Sequence, residues 1–278
     1  MSVPDQLRAA TQRLKTGAAP DTARLDAELL AAHVARCSRE ELLLRPPARL
    51  DEDAYEALLT RRAGGEPVAH LTGRAEFWSL PLQCGPQALV PRADSESLVE
   101  LALDLRKGRP PETILDLGTG TGALLFAALS EFRGAQGLGL DISAEAVELA
   151  CRNAVRLQLA DRASFLIGSW ETLERGAFDL ILCNPPYIRE TDELGAGVRE
   201  YEPRGALFAG ADGLTEYRAI FPRLRSLLSP GGHAVFEIGA GQAEDVEALA
   251  ARANLSNAGR CQDLGGHVRA LAFTLGKG

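Results

Sequence analysis

The sequence predicts an α/β protein in which a small helical domain precedes a parallel sheet covered by helices. The first 75 residues space their apolar positions three and four apart, as helices do, and show no strand-like alternation. Farther along, short apolar runs alternate with longer amphipathic stretches, which is typical of parallel strands joined by helices. A glycine-rich loop at residues 118–122 follows the first such run. The predicted divisions are a helical domain at 1–75, a β-hairpin linker at 76–90 and an α/β domain at 91–278.

Two helices are predicted in the first domain. The first begins where the side chain of Asp21 can cap it, and the second runs from Asp51 to Arg62. Consecutive prolines at 46–47 separate the two helices, and Gly64 with the next glycine ends the second. Their apolar faces carry Leu25, Leu29, Leu30 and Val34 in the first helix and Tyr55, Leu58 and Leu59 in the second.

The elements of the larger domain follow from the alternation of apolar runs and amphipathic stretches. Residues 76–85 predict a short hairpin, and a helix is predicted from about Ser95 to Lys107. The run at 178–183 is continuous and apolar, so we expect that strand to be central and covered on both faces. The predicted strands are 113–117, 137–141, 163–167, 178–183, 233–238, one near Gln262 and 268–274. The predicted helices are 123–132, 143–157 with Ser143 as cap, 215–228 with a stop at 229–232, and about 244–253.

Composition and charge limit the classes of function. The chain of 278 residues is 46% hydrophobic and 24% charged, which excludes a disordered protein, and its formal net charge is −8. Residues 1–75 contain equal numbers of basic and acidic residues, so the excess of negative charge belongs to the remainder. That excess of negative charge disfavours binding to nucleic acid phosphates, and we expect no direct nucleic acid substrate.

The sequence indicates neither a membrane segment nor a metal site. No apolar run reaches 18 residues, and the first residues lack the layout of a signal peptide, so we predict a cytoplasmic protein with no membrane partner. The five cysteines and four histidines are dispersed, with no CxxC pair and no metal-ligand spacing. We therefore predict no metal.

The glycine-rich loop points to a cofactor that contains a nucleoside. Its glycines allow a tight turn and a close approach of the backbone to a ligand. Asp141 ends the next strand, where a carboxylate can accept hydrogen bonds from two ribose hydroxyls. The spacing is G-x-G-x-G, whereas a dinucleotide fingerprint would read G-x-G-x-x-G. The loop consists of Gly118, Thr119, Gly120, Thr121 and Gly122.

The tetrapeptide Asn184-Pro185-Pro186-Tyr187 follows the strand predicted to be central. Two prolines stop a sheet abruptly, because neither supplies an N–H to the ladder. They leave free carbonyl acceptors beside a polar amide and an aromatic ring, at the edge of the sheet where ligands bind.

This tetrapeptide, downstream of G-x-G-x-G, resembles that of the Rossmann-like, S-adenosylmethionine-dependent methyltransferases that methylate planar NH2 groups. The resemblance implies adenine, cytosine or glutamine amide nitrogens as methyl acceptors. The chemistry fits, since the Asn184 oxygen and the Pro185 carbonyl can accept the two N–H groups and aim the nitrogen at the sulfonium methyl. Tyr187 can stack on the planar group, and no separate general base is evident.

Nearly the whole chain resembles the bacterial release factor protein-(glutamine-N5) methyltransferase family. The matching stretches, in order, are 23–30, 65–67, 73–77, 116–123, 141–143, 184–188, 202–203 with 206–207, 212–214 with 217–218, and 230–232 with 237–239. The family usually has proline where this chain has Ala93, but Asp94, Ser95 and Glu96 keep the polar character of that turn. An aromatic residue usual near His70 is also replaced.

The resemblance implies roles for specific residues. S-adenosylmethionine would be the cofactor and S-adenosylhomocysteine its product. Its methionine end would lie on residues 118–122, its ribose on Asp141 and its adenine near Trp170, although Trp170 can equally be a core residue. The tetrapeptide would bind the substrate amide, with Asn184, Pro185 and Tyr187 catalytic, and Asn184 would also contact the cofactor. The implied partners are class I release factors, through the glutamine of their GGQ loop, recognised by the helical domain.

Three alternatives stay open at this point. A sibling family that modifies a glutamine of a ribosomal protein shares the tetrapeptide, although residues 116–122 look closer to the release factor enzyme. A nucleic acid amino-methyltransferase is disfavoured by the acidic larger domain and by the lack of an evident basic arm. A non-catalytic nucleotide-binding protein would not need the intact tetrapeptide.

Overall fold

The computed structural model describes residues 2–18, 20–173, 175–263 and 265–276. The chain forms two compact units. The smaller unit contains Met1–Arg74 together with Glu193–Glu202, and the larger contains Ala75–Asp192 and Pro203–Gly278. Residues 193–202 thus group with the helical unit, whereas the sequence analysis placed them in the α/β domain. The assignment of a role to each domain stays a prediction.

The secondary structure of the described residues is as follows. The helices are α1 (Val3–Lys15), α2 (Ala23–Ala35), α3 (Arg39–Leu44), α4 (Glu52–Ala63), α5 (Val68–Thr72), α6 (Glu96–Arg106), α7 (Ala123–Glu131), α8 (Ala144–Arg156), α9 (Val198–Tyr201), α10 (Thr215–Leu227) and α11 (Ala243–Arg252). The strands are β1 (Arg74–Phe77), β2 (Leu80–Gln83), β3 (Thr113–Leu117), β4 (Gln136–Asp141), β5 (Ala163–Ile167), β6 (Phe178–Cys183), β7 (Leu228–Glu237), β8 (Leu255–Gln262) and β9 (Val268–Leu275). None of the described helices is long and apolar enough to cross a membrane.

Helix α2 forms the centre of the smaller unit. Its residues Ala27 and Leu30 are fully buried, and the Tyr55 hydroxyl donates a 2.9 Å hydrogen bond to the Ala27 carbonyl. Helix α4 begins after Asp51, whose side chain accepts from the Ala54 N–H as expected for a cap. Helices α1, α3 and α5 were not predicted.

The expectation that Asp21 caps α2 is wrong. A short 3₁₀ helix, Pro20–Thr22, precedes α2 and includes Asp21, so α2 begins at Ala23, one residue later than a cap at Asp21 would place it. Thr22 occupies the N-cap position without a capping hydrogen bond from its side chain. Its hydroxyl donates instead to Asp26 in the first turn.

The segment Glu193–Glu202 packs against the rest of the smaller unit at two glycines. A Cβ atom placed on Gly197 would lie 1.9 Å from the Gly65 carbonyl oxygen, and Gly197 has a φ of 87°. Only glycine allows both this backbone approach and this conformation. Helix α9 follows directly from that contact.

The predicted hairpin is present as β1 and β2 and begins at Arg74. Trp78 and Ser79 form its turn with φ values of 52° and 58°. Two consecutive residues with positive φ give a turn whose twist matches that of the paired strands.

The larger unit is built on a seven-stranded sheet with the order β5-β4-β3-β6-β7-β9-β8. The strands from β5 to β7 are parallel, which confirms the α/β fold class. Strand β9 pairs antiparallel with both β7 and β8, so the sheet is mixed at one side. Too few residues separate β8 from β9 for a crossover connection, which parallel pairing would require. Residues 180–183 of β6 are fully buried, as expected of a central strand.

Strand β7 begins five residues before its predicted start. The Ser-Pro-Gly-Gly run at 229–232, predicted to be a helix stop outside the sheet, belongs to the strand. Phe178 pairs with Leu228 and Leu180 with His233, so the register of β6 against β7 is irregular there. The irregularity accommodates the proline and the positive φ of Gly231 within a strand.

Aligned strand ends bring the loops of the sheet together. Leu117 pairs with Leu140 on one side and with Cys183 on the other, and Cys183 pairs with Phe236. The carboxyl ends of β3, β4, β6 and β7 therefore meet at one edge. Aromatic side chains below this edge form a core, with the ring centres of Phe221 and Phe236 5.1 Å apart.

Candidate functional site

A cavity of about 280 Å³ lies at this edge of the sheet, and every residue that lines it belongs to the larger unit. It is lined by most of the residues that the sequence singled out. These are Gly118, Thr119, Gly120, Thr121, Asp141, Trp170, Asn184, Pro185 and Pro186. Gly122 and Tyr187 are not part of the lining.

The glycine-rich loop is fixed by its own backbone. The N–H groups of Gly118 and Thr119 donate to the Leu140 carbonyl at 2.8 and 2.9 Å. Gly118 and Gly120 have φ values of 75° and 54°, and a Cβ atom on either would meet nothing closer than 3.7 Å. The two glycines therefore leave an open cradle that side chains would fill, which fits a ligand held against the backbone.

Gly122 packs against α7 and is not part of the cavity lining. It precedes α7 with a φ of 84°, and a Cβ atom there would lie 2.2 Å from the Phe126 ring. Its missing side chain allows the loop to pack against the helix. This placement gives no support to the prediction that Gly122 contacts the cofactor.

Asp141 is partly exposed on the cavity wall and is held by two backbone N–H groups. One carboxylate oxygen accepts from Gly120 at 2.8 Å and the other from Ser143 at 2.9 Å. Each oxygen keeps a further lone pair, so the side chain can still accept hydrogen bonds from hydroxyl groups. Asp141 also connects the loop to the strand beside it.

Trp170 combines the two interpretations that the sequence left open. Its ring is partly buried and packs against the apolar core of the sheet. It also lines the cavity, and a Cβ atom on Gly118 would lie 3.9 Å from it. The ring and the glycine-rich loop thus face each other, although contact with adenine stays a prediction.

Asn153 is a buried residue that the sequence analysis missed. Its NH2 group donates to the carbonyls of Thr121 and Gln83 at 3.0 and 3.1 Å, and its oxygen accepts from the Gln83 N–H. This side chain fixes the hairpin beside the glycine-rich loop. It lies on the buried face of α8. The sequence shows an asparagine at this position but gives no indication of its hydrogen-bond partners.

Asp116 is the penultimate residue of β3 and carries a buried carboxyl group with one oxygen that accepts a hydrogen bond. That oxygen accepts from the Thr119 hydroxyl at 2.6 Å, and the other has no hydrogen-bond partner among the described residues. Burial raises the pKa of Asp116 to about 7, and the negative charge of Asp141 acts in the same direction. Asp116 belonged to the motif noted in the sequence, but no role was predicted for it.

The raised pKa of Asp116 predicts a pH-dependent stability. Between its unfolded value of 3.8 and about 7, the folded chain binds more protons than the unfolded chain, so the free energy of unfolding falls as the pH rises. We expect wild type to lose on the order of 2–3 kcal/mol relative to Asp116→Asn between pH 5 and pH 8. Urea denaturation at both pH values measures this, with the exposed Asp161→Asn as matched control. A constant difference between wild type and Asp116→Asn would contradict it.

Asn184 stands where β6 ends, which is where the sequence placed it. Its NH2 group donates to the Ser95 hydroxyl oxygen at 3.3 Å. Asn184 and Pro185 both line the cavity, so a carboxamide side chain and the residue whose carbonyl is the second proposed acceptor are neighbours on its wall.

The Tyr187 side chain is held by buried groups beside the cavity. Its hydroxyl donates to Glu237 Oε1 at 3.0 Å, its ring packs against the apolar core, and Gln242 donates to its carbonyl. Burial raises the pKa of the phenol above its usual range. Because a buried carboxylate holds the hydroxyl, the ring lies outside the cavity lining, and this geometry gives no support to the predicted stacking.

Glu237, at the end of β7, accepts hydrogen bonds from two side chains near the cavity. Its carboxylate oxygens accept from the Ser95 and Tyr187 hydroxyls, and its carbonyl accepts from Tyr217. Burial raises the pKa of Glu237 to about 7, although both hydroxyl bonds lower it. Both Ser95 and Glu237 lie in motifs noted in the sequence, but nothing there showed that they meet. Among the described residues, no group of three His, Cys, Asp or Glu side chains could hold a metal ion.

Comparisons with known proteins agree with this geometry. A family described as "PrmC N-terminal domain" matches residues 5–73, and one described as "Methyltransferase domain" matches residues 109–262. The release factor glutamine methyltransferase of Vibrio cholerae is 42% identical over 277 residues, covering 98% of this chain and 95% of the relative. That of Bradyrhizobium diazoefficiens is 41% identical, covering 91% and 88%.

Two solved structures are similar in fold alone. The catalytic domain of hMettl16, in complex with an RNA hairpin, has a TM-score of 0.57 and 14% identity, covering 72% of this chain and 77% of that chain. The ribosomal protein L11 methylase of Lactobacillus delbrueckii subsp. bulgaricus has a TM-score of 0.52 and 24% identity, covering 69% and 84%.

Proposed function

Because this chain belongs to the release factor glutamine methyltransferase family, we propose that it methylates the side-chain amide nitrogen, N5, of a glutamine in peptide chain release factors. The methyl donor is S-adenosylmethionine. The observation that carries the proposal is the presence of Asn184 and Pro185 on the wall of the cavity that the glycine-rich loop and Asp141 also line. Groups suited to a nucleoside cofactor and groups suited to an amide thus share one cavity.

The cavity fits the cofactor in three respects. The open cradle at Gly118 and Gly120 suits the methionine end, and the remaining lone pairs of Asp141 suit two ribose hydroxyls. Trp170 supplies an apolar wall for adenine. When bound, the cofactor supplies an activated methyl group on a sulfonium, and the protein's own task is to position the acceptor nitrogen.

An amide nitrogen is a poor nucleophile because its lone pair is delocalised into the carbonyl. The Asn184 oxygen accepts one N–H of the glutamine side chain and the Pro185 carbonyl accepts the other. These two bonds aim the nitrogen and favour lone-pair character on it as the new bond forms. As the nitrogen–methyl bond forms and the sulfur–methyl bond breaks, the nitrogen becomes cationic and strongly acidic, and it releases one of its protons to solvent water, so the scheme needs no dedicated base on the protein.

The partner follows from the family. We propose that the substrate is the glutamine of the GGQ loop of class I release factors and that the smaller unit recognises the release factor. The protein would then work in the cytoplasm, where translation ends. The larger unit is acidic, which favours a protein substrate over nucleic acid.

Methyl transfer to defined acceptors tests the proposal. The full chain is incubated with labelled S-adenosylmethionine and, in parallel, with a release factor, the same factor with its GGQ glutamine changed to alanine, ribosomal proteins, DNA and RNA. We expect label on the unaltered release factor alone and a single methylated glutamine by mass spectrometry. Label that persists on the altered factor, or that appears chiefly on another acceptor, would overturn the proposal.

Removal of residues 1–74 separates the two proposed tasks. Cofactor affinity should stay within about twofold of wild type, because the cavity is lined only by the larger unit. Methylation of the release factor should fall strongly, since its recognition surface is lost. Calorimetry measures the cofactor affinity and also shows that the remaining unit is folded. Wild-type kcat/KM in the shortened chain would contradict a recognition role.

A further inference from the structure

The Asn184 side chain can perform its proposed task in only one of two orientations. Its oxygen and its NH2 group have nearly the same shape, but only the oxygen accepts a hydrogen bond from a substrate amide. Packing cannot distinguish the two ends. The hydrogen-bond partner on the side away from the substrate therefore determines whether the oxygen or the NH2 group of Asn184 faces the substrate.

That partner is the Ser95 hydroxyl, which is 4% exposed and also lines the cavity. A hydroxyl has one hydrogen, and Ser95 donates it to Glu237 Oε2. Only oxygen lone pairs remain for Asn184, whose NH2 group lies 3.3 Å away. The reverse orientation of Asn184 would place two acceptors against each other. Ser95 can therefore bind the NH2 group of Asn184 but not its oxygen.

Glu237 in turn determines the direction in which Ser95 donates. When Glu237 is ionised, as it is above its pKa of about 7, its carboxylate is acceptor-only, and its two oxygens are taken by the Ser95 and Tyr187 hydroxyls. Glu237 is 2% exposed, and the Tyr217 hydroxyl fixes its backbone carbonyl at 2.7 Å. Glu237 therefore determines that Ser95 donates to it, and Ser95 in turn accepts a hydrogen bond from the Asn184 NH2 group. The fixed acceptor at one end sets the direction of both hydrogen bonds.

We propose that Ser95 and Glu237 are positioning residues that fix the direction of the Asn184 carboxamide, so that its oxygen meets the substrate amide. This inference rests on the proposed function of Asn184. In this proposal Ser95 and Glu237 affect the substrate amide through Asn184, while Glu237 also accepts the Tyr187 hydroxyl. Their loss should change turnover and leave the affinity for the cofactor intact.

The test compares three single variants with wild type in release factor methylation. Ser95→Ala removes the acceptor for the Asn184 NH2 group, and we expect kcat to fall about tenfold or more through misorientation, with KM and cofactor affinity within about threefold. Ser95→Thr should restore most of that loss, because it returns the hydroxyl. Ser97→Ala is the matched control, since Ser97 is a buried serine two positions after Ser95, in the first turn of α6, and donates to the Asp94 carbonyl. A Ser95→Ala variant with wild-type kcat would overturn the inference.

A double-mutant cycle separates positioning from a general loss of structure. If Ser95 acts through Asn184, Ser95→Ala should cost almost nothing further in an Asn184→Ala background. Independent, additive losses would contradict the inference. Failure of wild type itself to methylate the release factor would instead contradict the proposed function.

Nuclear magnetic resonance tests the hydrogen bond without any substrate. The Asn184 NH2 resonances are assigned by their absence in Asn184→Ala. We expect Ser95→Ala to shift them and speed their exchange with water, and Ser97→Ala to leave them in place. Resonances unmoved by Ser95→Ala would refute the hydrogen bond to Ser95 whatever the reaction turns out to be.

Discussion

Asn184→Ala is expected to lower kcat for release factor methylation by roughly 10²–10³-fold, as loss of a preorganised hydrogen-bonding group does elsewhere. The variant removes the acceptor for one N–H of the glutamine amide, so the nitrogen can rotate away from the methyl group. Steady-state kinetics with saturating cofactor measures the effect. Asn257→Ala is the matched control, because Asn257 is exposed on β8 and bonds Glu247.

Asn184→Asp is the sharper form of this test. Aspartate keeps an acceptor toward the substrate but places a second oxygen against Ser95, where the NH2 group donates in wild type. It also adds a negative charge near the sulfonium, which stabilises the cationic ground state more than the charge-dispersed transition state. We expect kcat to fall here too. Near-normal kcat in both variants would exclude Asn184 as the group that orients the amide.

The strands that supply the site follow closely from the sequence. The predicted bounds of β3, β5 and β6 are those observed, because each is a short apolar run with a sharp polar or glycine boundary. The glycine-rich loop and Asp141 lie where parallel strands end, so topology alone brings them to one edge. The local sequence pattern was sufficient for residues whose place in the fold depends on hydrophobic periodicity or on the end of a parallel strand.

The interior of the site did not follow from the sequence. Ser95 and Glu237 lie 142 positions apart in the chain, and their contact arises only when Ser95, at the N-cap of α6, meets the end of β7 in the folded unit. The orientation of Tyr187 depends on that same buried carboxylate. Hydrogen-bond partners of this kind carry no periodic signal, so the sequence identified the residues near the cofactor but not the ones that support them.

The grouping of residues 193–202 with the helical unit also could not be predicted from the sequence. Their grouping with the helical unit depends on the close approach of Gly197 to Gly65, which are 132 positions apart. Each glycine is ambiguous by itself, since a turn, a cap or a close contact can all require it. Only the folded chain shows that these two glycines meet.

Asp141→Ala is expected to weaken S-adenosylmethionine binding by on the order of 1.5–3 kcal/mol, or about 10–150-fold, through lost charge-assisted bonds to the ribose. Calorimetry with wild type, Asp141→Ala and the remote, exposed Asp245→Ala measures this. Unchanged affinity in Asp141→Ala would reject the ribose assignment.

Asp141 also holds the Gly120 and Ser143 N–H groups, so weaker binding by itself could report a loosened loop. Comparing S-adenosylhomocysteine with its 2′-deoxy and 3′-deoxy analogues separates the two causes. If the carboxylate binds the ribose hydroxyls, the analogues should bind wild type more weakly than the parent and bind Asp141→Ala almost as well as the parent. If the variant discriminates against the analogues as strongly as wild type does, the carboxylate acts on the loop, and the ribose must be held by another group on the cavity wall.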